Sequence, residues 1–149
     1  MRAVVQIVRD ASVETGGSVT GRIARGLLVY LGVARGDTPS DADYLAEKAA
    51  ALRIFDDGEG KMNLSVRDAQ GGILVVSQFT LLADARKGRR PSYSSAADPA
   101  EAESLYEYFM DRIRARGLPC EGGIFRAYMQ VKYTNDGPVT ILLDSKKQF

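Results

Sequence analysis

The chain has 149 residues, with 20 Lys plus Arg against 19 Asp plus Glu, a formal net charge of +1, and 45% hydrophobic residues. That is the make-up of one ordinary globular domain, and any polyanion it meets must be met by a local patch instead of a global field. A single cysteine, Cys120, and the absence of histidine exclude an intramolecular disulfide, almost every zinc, iron or copper site built from side chains, and all catalysis through imidazole.

In chain order, Met1 to Val13 alternates apolar with polar residues, and Thr15-Gly16-Gly17-Ser18 has turn chemistry before Val19 to Ile23 resumes the pattern, which predicts a hairpin. The N-terminal alternation has no signal-peptide core, and no apolar run reaches the roughly 18 to 20 residues of a membrane span. The expectation is a soluble cytoplasmic protein with no membrane partner. Gly26 opens Leu27-Leu28-Val29-Tyr30-Leu31-Gly32-Val33, a run without alternation that predicts a central strand buried on both faces. Thr38-Pro39 places a hydroxyl at a cap and a proline in the first turn, and Ala42, Leu45, Ala46, Ala49 and Leu52 share a face, so a helix is expected over 39–53. Asp56-Asp57-Gly58-Glu59-Gly60 lacks the ligand spacing of a calcium hand and reads as an acidic turn without a metal.

Ile73 to Val76 is a short buried strand. Asp98-Pro99 opens a second helix whose stripe is Ala102, Leu105, Tyr106, Phe109 and Ile113, ended by Gly117 and Pro119. Tyr128 to Tyr133 alternates, and Val139 to Leu143 is a further strand after an Asn135-Asp136-Gly137-Pro138 turn. Two helices among about seven strands, with hairpins at the start and the end, predict a mixed α/β fold: one compact domain over 1–149, layered β/β/α, with a mixed sheet and both helices on one side. A small sheet of this kind leaves edges or an apolar face for a symmetric partner to cover, so a homodimer is expected.

Chemistry is concentrated in three segments. Ser77-Gln78-Phe79-Thr80-Leu81 follows a buried strand, where backbone amides can turn outward. Ser77 or Thr80 could act as a nucleophile only if a lysine, a carboxylate or the substrate took the proton; otherwise both hydroxyls simply cap the strand end. A division of labour in which N–H groups hold a developing oxyanion and the substrate positions the water fits a chain without histidine better, and favours a labile ester over an amide. Gly137-Pro138 offers either a cis peptide or an ordinary turn proline. Arg86-Lys87-Gly88-Arg89-Arg90-Pro91 is either a solvated loop or a patch that contacts several phosphates. Met129 reads as core, and Cys120, without a partner base, as inert.

Together with Met1-Arg2-Ala3-Val4-Val5-Gln6 and Lys61-Met62-Asn63-Leu64-Ser65, these three segments, ending in Asn135-Asp136-Gly137-Pro138-Val139-Thr140, resemble the D-aminoacyl-tRNA deacylases, also called D-tyrosyl-tRNA deacylases. The resemblance covers nearly the whole chain. It implies a homodimeric hydrolase that proofreads translation, cleaving the ester between a D-amino acid, or glycine mischarged on alanine tRNA, and the terminal adenosine of tRNA, with no cofactor and no metal. It further implies that Ser77, Gln78, Phe79 and Thr80 form the catalytic floor, with the Gln78 and Phe79 amides facing the acyl carbonyl and a ribose hydroxyl of the tRNA activating the water. Gly137 and Pro138 match a Gly-cisPro motif that enters the partner's pocket and excludes L side chains, Met129 lines that pocket, and Arg86, Lys87, Arg89 and Arg90 meet the tRNA. Two other readings are a non-catalytic RNA-binding module and a small-ester hydrolase using Thr80. The chain departs from the family at Phe125-Arg126-Ala127, where relatives carry Phe-Gly-Ala. If that glycine has positive φ, the arginine either shifts the strand end or adds a phosphate contact.

Overall fold

The longest strand organises the molecule. In a computed structural model that describes residues 1–149, β1 (Arg2–Thr15) turns through Gly16-Gly17 into β2 (Ser18–Ile23), the expected first hairpin. The first half of β1 pairs with β3 (Gly26–Gly32) on the same edge that β2 occupies further along, and β8 (Met129–Asp144) runs antiparallel down its other edge. β3 pairs in parallel with β6 (Gly72–Ser77), and β6 with β7 (Cys120–Gly122), so the sheet is mixed. Apart from Tyr30, every residue of β3 is buried, as its unbroken apolar run requires.

Helices α1 (Pro39–Ala51) and α2 (Pro99–Ala115) lie together on one face. Their stripes, with Leu45, Phe109 and Ile113 fully buried, close a core of 24 residues against the sheet. A second cluster of seven, Val8, Ala11, Val13, Ile23, Leu28, Leu74 and Val76, fills the opposite face. There the pairing of β1 with β8 loses register between Val8 and Ala11, and the second half of β1 carries β2 over β6 and β7. The two layers meet closely: a Cβ on Gly21 would stand 2.6 Å from the Gly122 carbonyl oxygen, a contact open to glycine alone. No helix is long and apolar enough to cross a membrane.

Two expectations need correction. The closing hairpin does not exist: Met129 to Asn135 and Thr140 to Asp144 both pair antiparallel with the same edge of β1. Between the pairs Val8–Asn135 and Gln6–Thr140, two steps along β1 are matched by five along β8, so the Asp136–Val139 segment loops out as a bulge. Bulges and turns draw on the same residue types, and only the pairing partner tells them apart. There are eight strands, not about seven. The acidic turn joins a small hairpin of β4 (Phe55–Asp56) and β5 (Met62–Leu64). At the start of α1 Thr38 and Asp41 form a capping box, in which the Thr38 N–H and O–H donate to the Asp41 carboxylate at 2.8 and 3.0 Å.

Candidate active site

β6 emerges from the core at Ser77, and the chain tightens at once into a 3₁₀ turn, Phe79–Leu82. Beside it opens a cavity of about 480 Å³ with 17 lining residues, 13 of them hydrophobic. Ser77, Gln78 and Phe79 line one side; Met129 and Val131 of β8 and the segment Phe125 to Tyr128 line the other. The wall contains no carboxylate, lysine, histidine or cysteine. Met129, read as core or as pocket wall, is half-buried, touches the second core cluster and lines the cavity.

The backbone donors divide unevenly. The Gln78 N–H is spent on the Leu31 carbonyl at 2.8 Å, where the β3–β6 ladder ends, so the expectation that it faces the acyl group is corrected. The N–H groups of Phe79 and Thr80 open the 3₁₀ turn, a position where no carbonyl of the turn can accept them. The Gln78 side-chain amide donates to the Thr80 hydroxyl oxygen. An amide cannot take a proton, so Thr80 has no base beside it. Cys120 lies outside the cavity, and burial pushes its thiol up to about 12.

The basic loop follows the 3₁₀ turn, outside the residues that line the cavity. Asp84 and Ser92 close its base with two backbone hydrogen bonds of 2.8 and 2.9 Å. Next to it the exposed rings of Phe79 and Tyr93 meet edge to face with centroids 5.1 Å apart. Arg86 is held by Asp84 through Nε at 2.8 Å and Nη2 at 2.7 Å, and the hydrogen bonds and charge of Arg86 hold the Asp84 carboxyl well below the usual carboxylate range. Lys87, Arg89 and Arg90 are exposed and point no contact back into the fold, so the patch is a set of three free cations and one that is already paired.

Gly137 and Pro138 lie elsewhere. They are exposed on the β8 bulge, joined by a cis peptide bond, with Gly137 at φ +119°. They line a separate concavity of about 300 Å³ with Ile7, Arg25, Phe55 and Met62. Asn135 braces the bulge by donating to the carbonyls of Ile7 at 2.9 Å and Val139 at 3.1 Å. Within one chain the structure therefore does not bring Gly137-Pro138 to Ser77–Thr80.

Arg126, the departure noted from the sequence, has φ +61°. It sits third in a turn closed by the Ala127 N–H on the Ile124 carbonyl at 3.2 Å, a place that suits glycine or asparagine. The side chain accepts a strain of roughly 1–2 kcal/mol, while Phe125 anchors the turn against Tyr106, whose hydroxyl donates to the Val75 carbonyl at 2.9 Å.

The family model described as D-Tyr-tRNA(Tyr) deacylase matches residues 4–144. The chain belongs to this deacylase family. It is 61% identical over 149 residues to the D-aminoacyl-tRNA deacylase of Koribacter versatilis and 59% identical over 150 residues to that of Thermosipho melanesiensis, covering 100% of each chain in both cases. Membership makes it a hydrolase. A solved structure described as a c-Myc DNA unwinding element binding protein aligns with a TM-score of 0.90 at 42% identity, over 97% of this chain and 98% of that one. A second, described as a probable eukaryotic D-amino acid tRNA deacylase, aligns at 0.79 and 19% identity over 95% and 97%, a likeness of fold. The deacylase fold was thus legible in the three motifs. The loss of the Gln78 amide to Leu31 and the pairing of Arg86 with Asp84 were not, because neither partner is marked by any pattern in the chain.

Proposed function

We propose that this cavity hydrolyses the ester of D-aminoacyl-tRNA, and of glycine mischarged on alanine tRNA, in the cytoplasm, with residues 1–149 acting as one catalytic domain. The observation that carries the reading is a mostly apolar wall without carboxylate, lysine, histidine or cysteine beside the N–H groups that open the 3₁₀ turn. Such a site can hold a developing oxyanion but cannot move a proton. An adjacent ribose hydroxyl can. Water attacks the acyl carbon while the carbonyl oxygen gathers charge against the Phe79 and Thr80 N–H groups. The water's proton passes through the neighbouring ribose hydroxyl to the leaving ribose oxygen, releasing amino acid and tRNA. A preorganised donor of this kind is worth about 3–4 kcal/mol, and an activated ester asks for little more. No metal and no cofactor enters.

Chirality is checked by a second copy of the chain. Two observations support this reading: Gly137-Pro138 lies outside the lining of its own cavity, and the outer edge of β8, 16 residues long, has no pairing strand in the monomer. In the homodimer the carbonyls of this segment occupy the space an L side chain would need, and D residues and glycine pass because they offer nothing there to clash. At φ +119° an alanine at 137 is strained, and its Cβ would lie 2.8 Å from the Val139 Cγ2. Gly137→Ala should therefore bring the rates on D- and L-aminoacyl-tRNA closer together; an unchanged ratio refutes the check.

The primary test is incubation with D- and L-tyrosyl-tRNA and glycyl-tRNA. Release from the D and glycyl substrates alone, lost when the terminal 2′-hydroxyl is replaced by hydrogen, is the expected result. Binding without release would favour a nucleic-acid-binding module, the reading to which the DNA-binding description of the structurally similar protein lends weight.

A further inference from the structure

The basic loop contributes no residue to the cavity lining, but the turn that ends in Arg126, Ala127 and Tyr128 does. Arg126 takes a left-handed conformation that arginine has no intrinsic reason to adopt, and it is exposed. Unlike Arg86, whose guanidinium is spent on Asp84, it has no carboxylate partner. Two residues on, Tyr128 is 88% exposed, the largest exposure among the bulky hydrophobic side chains, although it lines the same cavity. An unpaired guanidinium and a bare aromatic ring two residues apart in one pocket lining are what single-stranded nucleic acid recognises, the cation for phosphate and the ring for a base face. The strain at Arg126 is what remains when a side chain is kept for its reach at the expense of its backbone.

We propose that Arg126 and Tyr128 form a subsite for the single-stranded 3′ tail of the tRNA. The guanidinium binds the phosphodiester on the 5′ side of the terminal adenosine, and the tyrosine ring stacks on the base before it. This rests on the deacylase reading and extends it: the acyl-adenosine occupies the cavity, the basic loop meets the tRNA body, and the Arg126–Tyr128 turn holds the tail. The chain is thereby held at both sides of the ester, and the acyl group is oriented by a contact one nucleotide away.

The subsite is tested by comparing D-tyrosyl-tRNA with D-tyrosyl-adenosine, which carries the ester but no phosphodiester. Arg126→Gly suits the backbone and should melt no lower than the wild type. It should cut kcat/KM on the tRNA about tenfold relative to the nucleoside ester. It should also flatten the log–log salt dependence of uncharged tRNA binding by about 0.7, the value for one contact on a single strand. Tyr128→Ala should shift the same substrate ratio about tenfold without changing that slope, and Arg126→Lys should restore part of it. Equal losses on both substrates, or an unaltered ratio and slope, overturn the subsite. If wild-type protein releases tyrosine from neither substrate, the deacylase reading has failed, and the binding slope then decides the fate of the Arg126 contact on its own.

Discussion

Two regions handle charge in opposite ways. Where β1 and the end of β8 meet α1, ionic groups are crowded and paired. The Met1 ammonium donates to Asp37 at 2.7 Å with both side chains fully buried, Lys146 bridges to Asp41 at 2.7 Å, and Arg2 reaches Asp144 at 3.1 Å. In the cavity beside Ser77–Phe79 the wall is mostly apolar, the nearby Thr80 hydroxyl is paired to an amide, and Arg126 and the basic-loop cations other than Arg86 have no carboxylate partner. Strongly shifted carboxyl groups are commonly taken as marks of an active site. Here Asp41 is held far below the usual range, and it serves the architecture. Burial alone would raise it, but hydrogen bonds from Lys146, Ser145 and Thr38 outweigh that. Under the proposed mechanism the substrate supplies the proton chemistry and no tuned side chain is needed, so the search for shifted groups leads away from the cavity.

Substitutions can separate the two regions. The largest effect is expected at Asp37→Ala, which strands a buried ammonium and should cost about 3–5 kcal/mol in denaturant unfolding while leaving turnover of the folded fraction intact. Next comes Phe79→Pro. Proline fits the first position of a helical turn but removes the N–H, and should lower kcat about 10²- to 10³-fold, whereas Phe79→Ala keeps the donor and should lose far less. If both lose equally, the ring and not the amide matters. On the basic loop, Arg89→Ala or Arg90→Ala should each reduce the salt slope of tRNA binding by about one. Arg86→Ala should change it less, since Asp84 already holds that charge.

Smaller effects sharpen the contrast. Because the folded Asp41 lies below its ordinary value of 3.8, its contribution is present above that pH and drains away as pH falls below it. Thermal melts from pH 7 to about pH 2 should show the wild type losing more stability on acidification than Asp41→Asn. The smallest change belongs to Thr80→Ala, expected within about threefold of wild type in kcat, since no group beside Thr80 can take its proton. A collapse of turnover in that variant would instead establish a protein nucleophile.

Much of the fold was readable because it rests on local periodicity. The unbroken Leu27–Leu31 run became β3, the buried strand between β1 and β6, and the two Pro-initiated stripes became α1 and α2. The candidate site was legible as segments but not as an arrangement. Asn135 to Pro138 reads as a reversal of the chain, yet the strand continues past it, because β1 offers one long edge on which both halves pair. Ser77–Thr80 and Gly137-Pro138 read as one site, yet within a chain they open on different concavities.

Composition and motif order decided the family and what its chemistry must do without: with no histidine and a single cysteine, imidazole catalysis and a disulfide are excluded. Tertiary structure alone decided which donors are available and which cations are free. A hydrogen bond from Gln78 to Leu31, or from Arg86 to Asp84, consumes a group according to what stands within 3 Å of it. That distance is set by how strands and turns pack, not by the identity of the residue that donates.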